Sequence, residues 1–184
     1  MKNKNYLYGL LLYGFIAGFT SPVSAEIRQC DKEFISSDDS HIVYMGRISR
    51  SIPHIVRFTY PGVSILANFE GTSLQMKAKP GSGAFMVEVD DELPYRINFA
   101  ENDSIQTLAE GLPEGTHRVR IMYAIEGYEL KPAFKGFYLD KGCRLAEAPV
   151  LPERRIEFIG NSITCGYGVE SENPSDPFTY ETVS

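Results

Sequence analysis

Tryptophan is absent from this sequence of 184 residues, and histidine and cysteine occur three times each. A basic excess is also lacking, because the formal net charge is −6. Proteins that bind nucleic acids carry a basic footprint, so this charge argues against a nucleic-acid partner. No run of like charges indicates attachment to a membrane surface. Beyond residue 25 no apolar run is long enough to cross a bilayer.

The first 25 residues have the composition of a secretory signal peptide. Two lysines give a basic start, residues 7–19 are largely apolar, and Val23, Ser24 and Ala25 form a small-residue cleavage site. We therefore expect cleavage after Ala25 and a secreted or periplasmic protein. No membrane attachment is expected once the signal has been removed.

Helical periodicity is missing from the region between residues 42 and 140, where short β-like runs alternate with turn residues. Val63, Ile65, Ala67 and Phe69 occupy alternate positions, as expected of a strand with one buried face. Such runs predict a mainly β domain of two packed antiparallel sheets, and their number fits a jelly-roll β-sandwich. The predicted strands are 42–48, 54–59, 63–69, 74–78, 85–89, 95–99, 105–108, 118–125 and 134–139.

A short apolar run near the C-terminal end leads directly into a serine. Residues 156–159 contain no proline and are typical of a strand buried on both faces, which Gly160 ends. Such a strand would present the Ser162 hydroxyl at the carboxyl end of a sheet, where open α/β folds bind their ligands. If a helix starts there, the Ser162 N–H can serve in an oxyanion hole, because the first N–H groups of a helix lack intrahelical partners.

Three other site motifs are excluded at this turn. The phosphate-binding P-loop requires a lysine, which the run lacks, and no G-x-G-x-x-G of dinucleotide-binding folds opens the turn. The G-x-S-x-G elbow of the α/β-hydrolases would need glycine at the position of Thr164. The residue types suit acyl transfer by a nucleophilic serine, although a Gly-x-Ser after an apolar run is also common in turns without catalysis.

Residues 154–168 resemble the first sequence block of the GDSL, or SGNH, hydrolases, in the version found in carbohydrate esterase family 2. Residues 58–65, 68–74 and 110–117 are similar to the N-terminal jelly roll of the same family. One position differs, because the block usually reads Gly-Asp-Ser and Asn161 replaces the aspartate. An asparagine side-chain oxygen can still accept a local backbone hydrogen bond.

The resemblance implies a serine esterase that removes O-acetyl groups from plant polysaccharides such as xylan or glucomannan, without a metal or cofactor. Ser162 matches the family's nucleophile. The implied organisation is a signal peptide at residues 1–25, a jelly roll at 26–147, a proline-bearing linker at 148–153, and the opening strand and nucleophile turn of an α/β SGNH-hydrolase domain at 154–184.

A serine hydroxyl needs a base, usually histidine, within hydrogen-bonding reach. His41, His54 and His117 all lie at strand starts or turns of the predicted sandwich. In the resembled family the base and further oxyanion donors come from later sequence blocks, which are not found before Ser184. We expect the chain to be an inactive N-terminal fragment, since losing one oxyanion donor costs roughly a hundred- to thousand-fold in rate.

Two other functions remain open for the sandwich. It could bind polysaccharide as a module of its own, or act as a spacer that holds the hydrolase near its substrate. The lack of tryptophan weakens a stacking platform for sugar rings, and core packing explains most of the tyrosines and phenylalanines.

Cysteine usage allows at most one disulfide within the chain. Export into an oxidising compartment permits disulfides, but three cysteines cannot all pair with one another. Cys30 precedes the first predicted strand and Cys143 follows the last, so these two could tie the ends of the sandwich together. Cys165 is best explained as a small buried apolar residue.

Overall fold

The chain is described by a computed structural model that covers residues 32–154, 156–164, 166, 168–169, 171–175, 177 and 179. The predicted signal peptide, Cys30 and Cys165 lie outside these residues. The described part contains eleven strands and no helix. The strands are β1 (Lys32–Ser36), β2 (Val43–Met45), β3 (Ser49–Ile52), β4 (Ile55–Arg57), β5 (Ser64–Glu70), β6 (Leu74–Ala78), β7 (Gly83–Val89), β8 (Tyr95–Phe99), β9 (Ile105–Ala109), β10 (Thr116–Tyr123) and β11 (Ala133–Asp140).

The strands form two sheets in which every pair of neighbours is antiparallel. The first sheet has the order β3-β4-β11-β6-β9, with β1 also paired to β11, and the second has the order β2-β5-β10-β7-β8. From β5 to β11 the chain changes sheet at almost every connection, as a jelly roll requires. The predicted jelly-roll β-sandwich is confirmed.

Strand β10 shows why the sequence forms two facing layers. His117, Val119, Ile121 and Tyr123 are buried, whereas Arg118 and the other intervening residues are exposed or half-buried. This alternation places one face of the strand in the core. Burying each large apolar side chain of such a face contributes roughly 1.5–3 kcal/mol to folding.

Aromatic rings fill the centre of the sandwich. The Tyr123 ring lies 5.2 Å from the Phe58 ring and 5.1 Å from the Phe85 ring, both in edge-on contact. The Tyr123 hydroxyl donates to the Ser82 carbonyl oxygen at 3.1 Å, so its polar end is satisfied inside the core.

Strands β1 and β3 are not among the predicted strands. All four residues of β3 are exposed, so no alternation marks it in the sequence. Strand β1 pairs with β11 through Ser36 and Gly136, at a position where a Cβ atom on Gly136 would collide with the Ile35 carbonyl oxygen. The close approach of the two backbones, together with a φ of 140°, requires glycine there.

Residues 156–159 differ from the prediction, because they form no strand. The side chains of Ile156, Phe158 and Ile159 are 82, 79 and 89% exposed, so they do not pack on the sandwich. A parallel strand needs hydrogen-bonded neighbours and cover on both faces. The described residues supply neither.

Candidate active site

Ser162 lies in a tight turn that is organised by Asn161. The Thr164 N–H donates to the Asn161 carbonyl oxygen at 3.0 Å, which makes Ser162 and Ile163 the two central residues of a β-turn. The Ile163 N–H donates to the Asn161 side-chain oxygen at 3.1 Å. Asparagine at this position therefore provides the local backbone bond expected of it.

Ser162 is exposed, as are its neighbours in the turn. A further turn follows, in which the Gly166 N–H donates to the Ile163 carbonyl oxygen at 3.2 Å. The serine therefore sits outside the sandwich core, where a substrate can reach it. Ile163, next to it, is 86% exposed, so an apolar side chain also faces solvent at this turn.

Each of the three histidines is held by an aspartate of the sandwich. His41 Nδ1 lies 2.8 Å from Asp39, and His54 Nδ1 lies 2.9 Å from Asp38. Both rings are on the surface. Each of these two imidazoles is therefore a surface residue with a local carboxylate partner.

His117 is the buried histidine, and we call its arrangement with Asp90 and Pro113 the His117 clasp. Its Nδ1 lies 2.5 Å from an Asp90 carboxylate oxygen, and its Nε2 lies 2.8 Å from the Pro113 carbonyl oxygen. Both partners only accept hydrogen bonds, so both ring nitrogens must carry protons. The hydrogen bond to Asp90 is the main cause that raises the pKa of His117 above its usual 6.5, and burial opposes it.

The clasp also perturbs the carboxylate. Partial burial raises the pKa of Asp90, but the hydrogen bonds from the Arg118 N–H and from His117 outweigh this and hold the pKa below its usual 3.8. Asp90 begins the β7–β8 connection and Pro113 lies between β9 and β10. His117 therefore joins these two loops, through an ion pair with Asp90 and a hydrogen bond to Pro113.

Asp140 forms a second ionic cluster at the end of β11. Its carboxylate accepts from Lys32 Nζ at 2.7 Å, from the Ser73 hydroxyl at 2.6 Å, and from the Thr72 N–H and hydroxyl at 3.0 Å each. Burial raises the pKa of Asp140, but these bonds lower it well below its usual range. The cluster fixes the edge strand β1 to the rest of its sheet.

Cys143 follows this cluster by three residues and is half-buried. Burial is the main cause that raises the pKa of its thiol, and the nearby charges of Asp140, Glu114 and Glu70 add to the effect. A thiol of raised pKa is a poor nucleophile at neutral pH. Cys30 lies outside the described residues, so the Cys30–Cys143 disulfide stays a prediction.

The chain leaves the sandwich across the outer face of the second sheet. The Asn68 side-chain amide donates to the Glu147 carbonyl oxygen at 2.8 Å, and residues 149–152 line a cavity of about 590 Å³. Arg118, Arg120 and Glu88 of the sheet also line this cavity. The Arg120 guanidinium lies 3.6 Å from the Glu88 carboxylate. The segment predicted as a linker thus contacts the sheet.

Within the described part of the chain, no group of three or more His, Cys, Asp or Glu residues could hold a metal ion. Nor does any helix among these residues have the length and apolar character to span a bilayer.

The described residues thus form a jelly-roll β-sandwich that is followed by an exposed serine turn. The model of the carbohydrate esterase 2 N-terminal family matches residues 44–149, which is more than half of the chain. The chain belongs to this family.

Two curated relatives carry esterase names. The chain is 33% identical over 151 residues to the cellulase/esterase CelE of Acetivibrio thermocellus, covering 81% of this chain and 18% of that protein. It is 31% identical over 138 residues to an acetylxylan esterase / glucomannan deacetylase of Cellvibrio japonicus, covering 74% of this chain and 38% of that protein. The chain therefore spans well under half of either relative.

Solved structures of family two carbohydrate esterases have the same fold. One from Cellvibrio japonicus superposes with a TM-score of 0.72 at 26% identity, covering 83% of this chain and 45% of that one. One from Clostridium thermocellum in complex with cellohexaose gives a TM-score of 0.67 at 34% identity, covering 77% and 44%.

Proposed function

We propose that the chain is the N-terminal part of an exported serine esterase that removes O-acetyl groups from plant polysaccharides such as xylan or glucomannan. The esterase names of the relatives and the family of the sandwich support the reaction class. The signal-like residues 1–25 support export. The observation that carries the proposal is the exposed Asn161-Ser162 turn outside the sandwich.

The proposed chemistry divides deacetylation into two steps. A general base takes the proton of the Ser162 hydroxyl as its oxygen attacks the acetyl carbonyl carbon. The bond to the sugar oxygen then breaks, and the sugar oxygen takes that proton from the base and leaves as a hydroxyl. Water then cleaves the acetyl-serine and releases acetate. The Ser162 N–H is proposed to donate to the oxyanion that forms in both steps.

The general base is proposed to come from a hydrolase domain rather than from the sandwich. His117 carries protons on both ring nitrogens, so it cannot accept one, and the resembled family takes its base from a later sequence block. A fragment with the serine but without the base and the remaining oxyanion donors is expected to be inactive.

The exposed apolar side chains beside the serine support such a domain. Ile156, Phe158, Ile159 and Ile163 are each at least 79% exposed. Covering each one would contribute roughly 1.5–3 kcal/mol, which neighbouring strands and helices of a hydrolase domain would supply. We propose that residues 154–184 begin that domain and that residues 148–153 link it to the sandwich.

Acetate release from acetylated xylan and acetylated glucomannan tests the proposal. The complete esterase that contains this chain should release acetate, and the Ser162→Ala variant should lose at least about a thousand-fold in rate. Ser175→Ala, which removes an exposed hydroxyl thirteen residues away, is the matched control and should keep wild-type activity. Undiminished acetate release by Ser162→Ala would refute the assignment.

A further inference from the structure

Two loops at one end of the sandwich carry strongly exposed tyrosines. Tyr60 lies between β4 and β5 and is 54% exposed, and Tyr128 lies between β10 and β11 and is 82% exposed. Strands β5 and β10 are antiparallel neighbours that pair Ser64 with Met122. The start of β5 and the end of β10 therefore meet at the same end, and the two loops lie side by side.

The backbones of these loops are fixed to one another and to the core. The Gly127 N–H donates to the Thr59 carbonyl oxygen at 2.8 Å, and the Gly62 N–H donates to the Tyr123 carbonyl oxygen at 2.8 Å. Gly127 is buried, and a Cβ atom there would come within 2.8 Å of the Tyr123 hydroxyl and of Pro132. A ligand that contacts the rings would thus have little loop backbone to order, which favours binding.

A third loop adds hydrogen-bond donors beside one of the rings. Arg47, between β2 and β3, places its guanidinium carbon 5.4 Å from the centre of the Tyr60 ring. This is a cation–π contact. No carboxylate in the described ranges forms an ion pair with Arg47, so its N–H groups remain able to donate to a ligand.

A single exposed ring is ordinary on a protein surface. Here two rings and a guanidinium occur on three adjoining loops, and neither tyrosine belongs to the buried core. Their loop neighbours include the exposed charged residues Glu126, Glu129 and Lys131, so the surface is not a continuous apolar patch. A protein interface of usual size buries about 800 Å² on each partner with a less charged centre, which fits this surface poorly.

Sugar chains suit such a surface better. Each sugar ring has an apolar face of C–H groups that can stack on an aromatic ring, and a rim of hydroxyls that donate and accept hydrogen bonds. Tyrosine provides both a ring face and a hydroxyl at low cost in side-chain entropy. We propose that Tyr60, Tyr128 and Arg47 form a polysaccharide-binding site that holds the proposed esterase on its substrate. The class of ligand rests on the proposed function.

Native gels containing soluble xylan or glucomannan test this site on the full chain. Migration of the wild type should be retarded by at least one of the two polysaccharides. The double variant Tyr60→Ala/Tyr128→Ala should lose affinity by about tenfold or more, because each ring contributes a stacking contact. Its thermal unfolding should stay close to that of the wild type, since both side chains are exposed.

Phe34→Ala is the matched control, because Phe34 is a 45%-exposed aromatic residue on the outer face of the first sheet, where its ring centre lies 5.0 Å from that of the tilted Tyr138 ring. This variant should be retarded like the wild type. Loss of retardation in Phe34→Ala, or full retardation of the double variant, would overturn the site. So would a wild-type chain that neither polysaccharide retards, and that result would leave acetate release by the complete esterase, and with it the proposed function, unaffected.

Discussion

Asp90→Asn removes the negative charge that the buried His117 imidazolium faces. Asp90 accepts two hydrogen bonds, from His117 at 2.5 Å and from the Arg118 N–H at 2.8 Å. A hydrogen bond to a charged group usually contributes about 1.5–3 kcal/mol. Because the Asp90 side chain is 39% exposed, we expect a loss near the lower end, about 2 kcal/mol, measured by denaturant unfolding.

The next residue is a matched control. Asp91 also has a positive φ, 64° against 53° for Asp90, and asparagine tolerates that region well, so backbone strain is equal in the two variants. The Asp91 side chain is 72% exposed and pairs only at the surface with Arg118. Asp91→Asn should therefore cost less than about 1 kcal/mol.

The effect of Asp90→Asn should depend on pH in a defined direction. The raised pKa of His117 means that its contribution is complete below the usual 6.5 and is lost as pH rises through the raised value. The lowered pKa of Asp90 means that its contribution is complete above the usual 3.8 and is lost as pH falls through the lowered value. The difference between wild type and variant should be largest between these limits, near pH 5.5, and smaller near pH 9.

Equal costs for Asp90→Asn and Asp91→Asn would refute the account of the clasp. The same holds if the stability difference between wild type and Asp90→Asn were unchanged from about pH 5.5 to about pH 9, since a neutral His117 would then hold the loops equally well.

Three further predictions concern strands β1 and β11 and the two cysteines that flank them in the sequence. Gly136→Ala should destabilise the fold by about 3 kcal/mol in thermal unfolding, because its Cβ meets the Ile35 carbonyl oxygen; a variant as stable as the wild type would contradict the β1–β11 register. Asp140→Asn should cost about 3 kcal/mol, by leaving a mostly buried lysine without its charge partner; a loss under 1 kcal/mol would exclude that cluster as an anchor. Non-reducing peptide mapping of the exported chain should show Cys30 joined to Cys143, and alkylation of both would exclude the disulfide.

The sequence predicts the sandwich well where alternation and turn chemistry agree. Strands β6 and β8 have their predicted bounds, because apolar residues alternate along each and a Gly, Pro or Asp lies within four residues of each end. Strand β3 carries no such pattern, since its four residues are all exposed. It forms by antiparallel pairing with β4, the next strand in the chain, and the irregular register of this pair leaves no alternating pattern in the sequence.

The sequence predicts the contacts of the site only where the two partners are close together in the chain. The Asn161 bond to the Ile163 N–H spans two residues, so the residue type suffices to predict it. The state of His117 depends on Asp90, 27 residues away, which the pairing of β7 with β10 brings beside it. The exposure of Tyr60 and Tyr128 is likewise a property of the fold, because the sequence alone predicts that most aromatic side chains pack in the core.

Covalent labelling of the active serine tests the central claim most directly. The complete esterase should be treated with a fluorophosphonate, which reacts with activated serine hydroxyls, and then digested and mapped by mass spectrometry. We predict one adduct, on Ser162, and none after Ser162→Ala. An adduct on a different serine of an enzyme that still releases acetate would contradict the account.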